Sequence, residues 1–227
     1  MTRLQVLLVA CTVLLLAASC GGGSNSAEND TADPEATPLA SDGPATPLPS
    51  PVAALREQLL SRILGVEDLP AGWTLLSTDE HPHRGSVFCD TPFEAGTTPL
   101  FRLTRVFQKG ESGTVLSQRI SAYPEGGAES VMREFREATD DCKEWTKITD
   151  TGSQTWKLFP LEMQSFGDDM IALDLPTTVG SVTIDNHFVM VRQGDVITIL
   201  GYGGPFVDRI DPSVTEDFSR LAAAKLE

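Results

Sequence analysis

The sequence predicts an α+β domain, in which an antiparallel sheet carries helices packed on one face. Its elements follow the order helix, two strands, helix, four strands, helix. Neighbouring strands joined by short turns pair antiparallel. A single helix between the two groups of strands provides too few crossovers for a parallel sheet, so the α+β class is favoured.

The first helix is predicted to begin at Pro51. Ser50 can act as its N-cap, Pro51 suits the first helical position, and Gly65 can close its C-terminus. Apolar residues recur at helical spacing in this segment. They are Val52, Leu55, Leu59 and Ile63.

A hairpin and a second helix follow. Residues 101–108 and 114–123 are rich in aromatic and β-branched side chains and flank a turn that contains two glycines. The next segment places apolar side chains on one face of an amphipathic helix. They are Ala128, Val131, Met132, Phe135, Ala138 and Cys142.

The C-terminal part predicts four strands and a last helix. The strands are residues 155–161, 170–175, 181–192 and 196–202. Gln193-Gly194-Asp195 is typical of a tight turn between the last two. The helix is predicted to begin near Asp211 or Ser213, with a capping box over residues 213–216.

The N-terminus has the layout of an export signal. Arg3 precedes an apolar run over residues 4–16, which is too short to span a bilayer. Residues 16–20, Leu-Ala-Ala-Ser-Cys, resemble the lipobox of bacterial lipoproteins, although Ala17 stands where that motif usually has Leu. The resemblance implies cleavage before Cys20 and attachment of lipid to it. The alternative is an ordinary signal peptide cut near Ser19.

Residues 20–50 are predicted to be a lipidated cysteine followed by a disordered tether. They are rich in Pro, Ala and Thr and contain no Lys, Arg or aromatic residue, so they cannot form a core. Residues 1–19 are then the signal peptide, and residues 51–227 are a single domain. The chain has 17 basic and 32 acidic residues and a net charge of -15, which repels nucleic acid and anionic lipid. We therefore expect no nucleic-acid partner, and attachment to the outer face of the cell membrane through the lipid.

The chain has 4 cysteines. Cys11 is lost with the signal peptide and Cys20 is lipidated, which leaves Cys89 and Cys142. In an oxidising compartment the simplest prediction is one disulfide between these two residues. The alternative, two free thiols or a redox pair, lacks a Cys-x-x-Cys motif.

Several motifs occur in the region from residue 69 to the C-terminus. They are the Leu-Pro-x-Gly-Trp turn at residues 69–73, Cys89 before the hairpin, the helical segment 135–145, Phe-Gly-Asp-Asp at 166–169, the turn at 191–196 and the closing helix. This set resembles actinobacterial exported sensor-like domains, such as the extracellular PknH-type domain of mycobacterial Ser/Thr kinases. The resemblance implies a ligand-binding or sensing role outside the membrane and transfers no catalytic residues. The kinase domain has two disulfides, and this chain has cysteines for one.

Two local clusters of polar residues are candidates for metal binding or catalysis. His81 and His83, with Asp79, Glu80 or the distant His187, could ligate zinc or copper, but Pro82 and Gly85 are also typical of a plain exposed loop. We therefore predict no metal and no cofactor.

Asp168 and Asp169 form the second cluster. Paired carboxylates can perform acid-base catalysis, yet after Gly167 they are more typical of a turn.

The function predicted from these observations is that of an envelope lipoprotein without catalytic activity. Its domain would bind a small molecule, an envelope component or a protein partner. One alternative is a hydrolase or metal-dependent enzyme built on Asp79, His81, His83 or the Asp168 and Asp169 pair. The other is a structural or assembly lipoprotein. No Gly-x-Ser-x-Gly, His-Glu-x-x-His or Ser-x-x-Lys motif occurs in the sequence.

Overall fold

The computed structural model describes residues 50–80, 86–94, 96–111, 113–149, 152–204 and 209–227. The predicted signal peptide, the lipid site at Cys20 and the tether lie outside the described residues. His81 and His83 also lie outside them.

The described residues form helices, strands and one short 3₁₀ turn. The helices are α1 (Ser50–Arg62), α2 (Gly127–Asp140) and α3 (Pro212–Ala224), and the 3₁₀ turn is Val66–Asp68. The strands are β1 (Trp73–Glu80), β2 (Ser86–Phe88), β3 (Thr91–Phe93), β4 (Phe101–Lys109), β5 (Thr114–Ala122), β6 (Glu144–Thr149), β7 (Gly152–Lys157), β8 (Phe159–Pro160), β9 (Asp169–Asp174), β10 (Thr177–Val179), β11 (Val182–Gln193) and β12 (Val196–Gly204).

Ten of the strands form one antiparallel sheet, which confirms the predicted α+β class. Its main order is β1-β4-β5-β12-β11-β10-β7-β6, and β9 also pairs with β11 and carries β8. The predicted hairpins are present, since β4 pairs with β5 and β11 pairs with β12. The last pair turns through Gly194, whose φ of 57° is the left-handed conformation that a tight hairpin turn uses. Strands β2 and β3 form a separate small hairpin.

The helices are divided between the two faces of the sheet rather than gathered on one. Consecutive residues of a strand point to opposite faces. Leu200 of β12 packs in a cluster with Phe218 of α3, whereas its neighbour Ile199 packs with Phe135 of α2. Helix α1 shares the face of α3, because its Leu59 packs with residues of β4 and β5 that include Ile120. Both faces of the central strands are therefore buried.

Polar side chains tie the end of α1 to the sheet. The backbone N–H of Leu64 donates to Gln118 Oε1 at 2.7 Å, and Gln118 Nε2 donates to Thr198 Oγ1 at 3.0 Å. Arg105 donates to the carbonyl of Leu64 at 2.7 Å. Helix termini leave backbone groups without intrahelical partners, and these side chains supply partners inside the domain.

Helix α3 begins at the first of its two predicted positions. Asp211 is the N-cap, and its side chain accepts a hydrogen bond from the backbone N–H of Ser213. Pro212 occupies the first turn, where a missing N–H costs nothing.

Candidate functional site

The β2–β3 hairpin is held by the predicted disulfide. Cys89 and Cys142 are bonded, with their Cα atoms 6.2 Å apart, so this prediction is confirmed. Cys89 and Asp90 form the hairpin turn, with φ values of 51° and 57°. Such turns favour Asn and Gly because both central residues are left-handed. Here the bond to Cys142, just beyond α2, fixes a turn that its own residues do not favour.

The base of the same hairpin is held by a buried ion pair. Glu94 follows β3, and its carboxylate accepts hydrogen bonds from Arg102 of β4 and from the Tyr123 hydroxyl. Burial and the nearby Glu94 carboxylate raise the pKa of Tyr123. Burial also lowers the pKa of Arg119, which lies in the same charged cluster. The hairpin is thus fastened at its turn and at its base.

A solvent-open cleft of about 770 Å³ lies beside this hairpin. Its walls are the β2–β3 hairpin, the C-terminal half of α2 and the start of β6. The disulfide lies in its lining, and Trp145 of β6 contributes an aromatic surface. Trp145 stacks on Trp156 with ring centroids 4.9 Å apart and also contacts Phe88, so its ring is fixed from two sides.

The lining of the cleft is acidic. Among the described residues, the lining contains five carboxylates and no Lys, Arg or His side chain. They belong to Asp90, Glu134, Glu137, Asp141 and Glu144. Three of them lie on α2 or directly after it at spacings of three and four residues, which places them on one helix face. A line of negative charge therefore runs along one wall.

The cleft carboxylates are only lightly engaged by the rest of the protein. Glu144 lies 3.6 Å from Lys157, and Glu137 lies 4.0 Å from Arg133, in pairs whose side chains are all more than half exposed. Exposed pairs of this kind contribute little to stability and exchange readily with solvent. Glu134 differs from the others, because one of its oxygens accepts from the Ser130 hydroxyl at 3.3 Å and the other is buried.

Four of the five carboxylates therefore remain accessible to a positively charged ligand. They belong to Asp90, Glu137, Asp141 and Glu144.

The structure does not bring His187 close to Asp79 and Glu80, the two candidate metal ligands that lie on β1. His187 is on β11, which is separated from β1 by three intervening strands, or roughly 19 Å at normal strand spacing. It is buried, with Nδ1 2.7 Å from Thr215 Oγ1 and Nε2 3.9 Å from Asp174 Oδ1. Burial lowers the pKa of His187. Its contacts are those of a histidine packed inside the fold.

The other acidic candidates have structural partners. Glu80 accepts two hydrogen bonds from Arg56 of α1, at 2.8 and 2.6 Å. Asp168 accepts from the backbone N–H of Gly194 at 2.7 Å, and Asp169 is paired with Arg136. Asp168 and Asp169 therefore bond in different directions, to a turn and to a helix. Within the described ranges, no group of three His, Cys, Asp or Glu side chains could hold a metal ion.

No helix in the described part of the chain is both long and apolar enough to cross a membrane. No protein-family model matches the sequence, and no curated protein matches it.

The fold itself has a solved counterpart. It is similar to that of the extracellular domain of PknH from Mycobacterium tuberculosis, with a TM-score of 0.59 and 11% sequence identity. The match covers 75% of this chain and 95% of the PknH domain. A putative uncharacterized protein (Rv0999 ortholog) from Mycobacterium smegmatis matches with a TM-score of 0.42 and 11% identity, over 77% of this chain and 93% of that one. The predicted resemblance to the PknH-type domain is thus confirmed at the level of fold.

The acidic cleft is not predicted by the sequence patterns, although part of its signal is present in the sequence. Glu134, Glu137 and Asp141 follow a helical spacing that puts them on one face. That spacing alone does not distinguish a cleft wall from an ordinary solvated helix face. Only the β2–β3 hairpin and β6, brought alongside α2, make the surface concave.

Proposed function

We propose that this chain is a non-catalytic binding protein on the extracytoplasmic face of the cell membrane, and that it binds a cationic ligand in the acidic cleft. The observation that carries the proposal is the composition of the described part of the cleft lining, which has five carboxylates and no basic side chain. A concave surface lined by one sign of charge focuses the electrostatic field and concentrates ligands of opposite sign. Its volume is within the range of small-molecule sites.

The chemistry of the lining supports binding rather than catalysis. The hydroxyl groups of its described residues are those of Thr91 and Thr146, and none of these lining residues is a histidine or lysine that could activate them. Thr146 is instead bonded to Thr155 across the hairpin, at 2.9 Å between the hydroxyl oxygens. The cysteines of the lining are joined in the disulfide.

The location outside the membrane rests on two supports. Residues 16–20 resemble a lipobox, and the fold is similar to that of a domain described as extracellular. Replacing Cys20→Ala is expected to abolish lipid attachment, because the thiol that would carry the lipid is lost. The test is metabolic labelling with a radioactive fatty acid; equal labelling of the unmodified chain and the variant would contradict the anchor.

Binding is tested by isothermal titration of the full chain in mild detergent with spermine, a flexible tetra-amine. The cleft variant is Glu137→Gln/Asp141→Asn/Glu144→Gln. The control removes the same number of charges at exposed positions outside the lining, as Glu111→Gln/Glu125→Gln/Asp217→Asn. We expect the cleft variant to bind spermine at least about tenfold more weakly than the control, since each lost ion contact is worth on the order of 1 kcal/mol.

Added salt should weaken spermine binding to the unmodified chain, because exposed charges are screened. Equal affinity of the cleft variant and the control would contradict a ligand site in the cleft. Absence of spermine binding to the unmodified chain would contradict the cationic ligand class.

A further inference from the structure

We infer that the cationic ligand is an extended basic segment of another polypeptide, which binds in the cleft as an added strand beside β6. This inference rests on the proposed function, because it uses the same cleft and narrows the class of ligand. It depends on the exposed edge of β6, the shape of the cleft around that edge and the charge of the facing wall.

Strand β6 ends the main sheet and pairs with β7 alone among the described strands. In an antiparallel pair, residues alternate between positions that exchange backbone hydrogen bonds with the neighbour and positions that do not. The N–H of Leu158 donates to the carbonyl of Lys143 at 2.9 Å, which sets the phase of this alternation. With Trp145 opposite Trp156, residue 145 is therefore a bonded position.

The backbone N–H and C=O groups of the intervening β6 residues point away from β7. These residues are Glu144, Thr146 and Ile148. The close contact between the Thr146 and Thr155 hydroxyls agrees with this phase, because side chains approach most closely at non-bonded pairs. The backbone N–H and C=O of these residues face outward, as at any strand edge open to a further strand.

The cleft opens onto this edge. Glu144, Trp145 and Thr146 all line it, although they are consecutive in one strand. Side chains of consecutive strand residues point to opposite faces, so a cavity over one face would touch alternate residues only. A cavity that contacts three in a row lies against the side of the strand, where its backbone groups are.

The wall across from this edge is complementary to a basic peptide. The exposed carboxylates of Glu137 and Asp141 lie about 6 Å apart along α2, close to the spacing of alternate residues in an extended chain. A peptide strand carries its alternate side chains on one face, so Lys or Arg at every second position can meet this wall together. Backbone pairing would supply affinity and the carboxylates would supply selectivity.

The other end of the sheet lacks these features. Strand β1 is also terminal, but the carboxylate of Glu80 at its end is already bonded to Arg56. No residue of β1 lines the acidic cleft. The combination of a strand edge with accessible carboxylates is therefore found at β6.

The test uses the full chain in mild detergent and a short soluble peptide of alternating lysine and threonine. Hydrogen exchange is measured at single-residue resolution with and without the peptide. We expect the amides of Glu144 and Thr146 to become protected by about tenfold or more, as expected for a new backbone hydrogen bond. The amide of Trp145, already bonded to β7, should change little.

Two variants at one position separate backbone pairing from charge. Thr146→Pro removes an N–H that points away from β7, which a strand edge tolerates. Thr146→Val keeps that N–H and removes only the hydroxyl. We expect the proline variant to lose peptide binding by about tenfold relative to the valine variant, because a strand hydrogen bond is lost, while both bind spermine equally.

Peptides methylated on alternate backbone nitrogens test the same pairing on the unmodified chain, without relying on either variant. Methylation of the peptide nitrogens that face β6 should abolish peptide binding. Methylation of the intervening nitrogens, which face away from β6, should leave peptide binding unchanged. Spermine binding without protection of Glu144 and Thr146 by the peptide would overturn the added strand and leave the proposed function standing. Loss of both spermine and peptide binding would overturn the proposed function and the inference with it.

Discussion

The carboxylate of Glu94 lies 2.5 Å from the guanidinium of Arg102, and the two side chains are 1% and 4% exposed. This contact joins the base of the β2–β3 hairpin to β4 and thereby places one wall of the cleft. Charges in such a position are stable only as a pair, because each has been removed from water.

Replacing Glu94→Gln is expected to lower the free energy of unfolding by about 3–5 kcal/mol, because the buried Arg102 charge loses the carboxylate that compensates it. The measurement is chemical denaturation followed by circular dichroism. Glu137→Gln is the control, since its pair with Arg133 is exposed and should change the unfolding free energy by less than about 0.5 kcal/mol. Similar effects of the two substitutions would show that the Glu94 pair is not buried as described.

The disulfide is expected to raise the free energy of unfolding. The Cys89→Ala/Cys142→Ala variant should unfold with about 4 kcal/mol less free energy, because the bond closes a loop of 53 residues in the unfolded chain. Denaturation of the unmodified chain with a reductant should give the same value as the variant. An unfolding curve that reductant does not change would contradict a stabilising bond.

Phe135 is the aromatic centre of the core beneath α2. Its ring lies 4.9, 5.0 and 5.2 Å from those of Phe88, Phe93 and Phe188, and the side chain is fully buried. Phe135→Ala should cost about 3–5 kcal/mol of unfolding free energy. The matched control is Phe159→Ala, which removes a ring that is 48% exposed and should cost clearly less. Equal costs in thermal and chemical denaturation would contradict this position for α2.

His187 predicts a dependence of stability on pH. Burial lowers its pKa below the value in the unfolded chain, so the unfolded chain binds the proton first as pH falls. The free energy of unfolding should therefore decrease from about pH 7 to about pH 5. Burial raises the pKa values of the neighbouring Asp174 and Asp185, and these groups act in the opposite direction.

The contribution of His187 is isolated by comparison with His187→Gln. The unfolding free energy of the unmodified chain minus that of the variant should decrease as pH falls. A difference that stays constant across this range would show that the pKa of His187 is the same in the folded and unfolded states.

Much of the fold could be predicted from the sequence, because its central elements carry strong patterns. The hairpin of β4 and β5 has aromatic and β-branched side chains on both faces, and α2 has a clear apolar stripe. The disulfide followed from the cysteine count once two cysteines were assigned elsewhere. In each case a local or compositional signal agrees with the tertiary structure.

The terminal strands could not be predicted in the same way. In β1 every residue after Trp73 is exposed, so apolar and polar residues do not alternate. Strand β6 is short and mostly polar, and Ile148 on it is 85% exposed. Such edges are set by pairing with a neighbour and not by burial. The same absence of a burial pattern hid the β6 wall of the candidate cleft.

The placement of helices on both faces was also not predicted. The apolar stripe of α2 shows that the helix packs on a sheet but does not say on which face. That choice depends on the connection after β5, where Gly126, the N-cap of α2, is left-handed and its N–H donates to Asp195 at 2.9 Å. Contacts between residues so distant in sequence are not visible in a local pattern.

Binding of a cationic ligand in the acidic cleft can be observed by NMR shift mapping of the lipid-free Cys20→Ala chain with spermine. We expect saturable shifts of the Trp145 indole N–H and of backbone amides around Glu137, Asp141 and Glu144, with smaller changes elsewhere. Shifts that map instead to the opposite face of the sheet, around α1 and α3, would contradict binding in the cleft. Complete absence of saturable shifts would also contradict it.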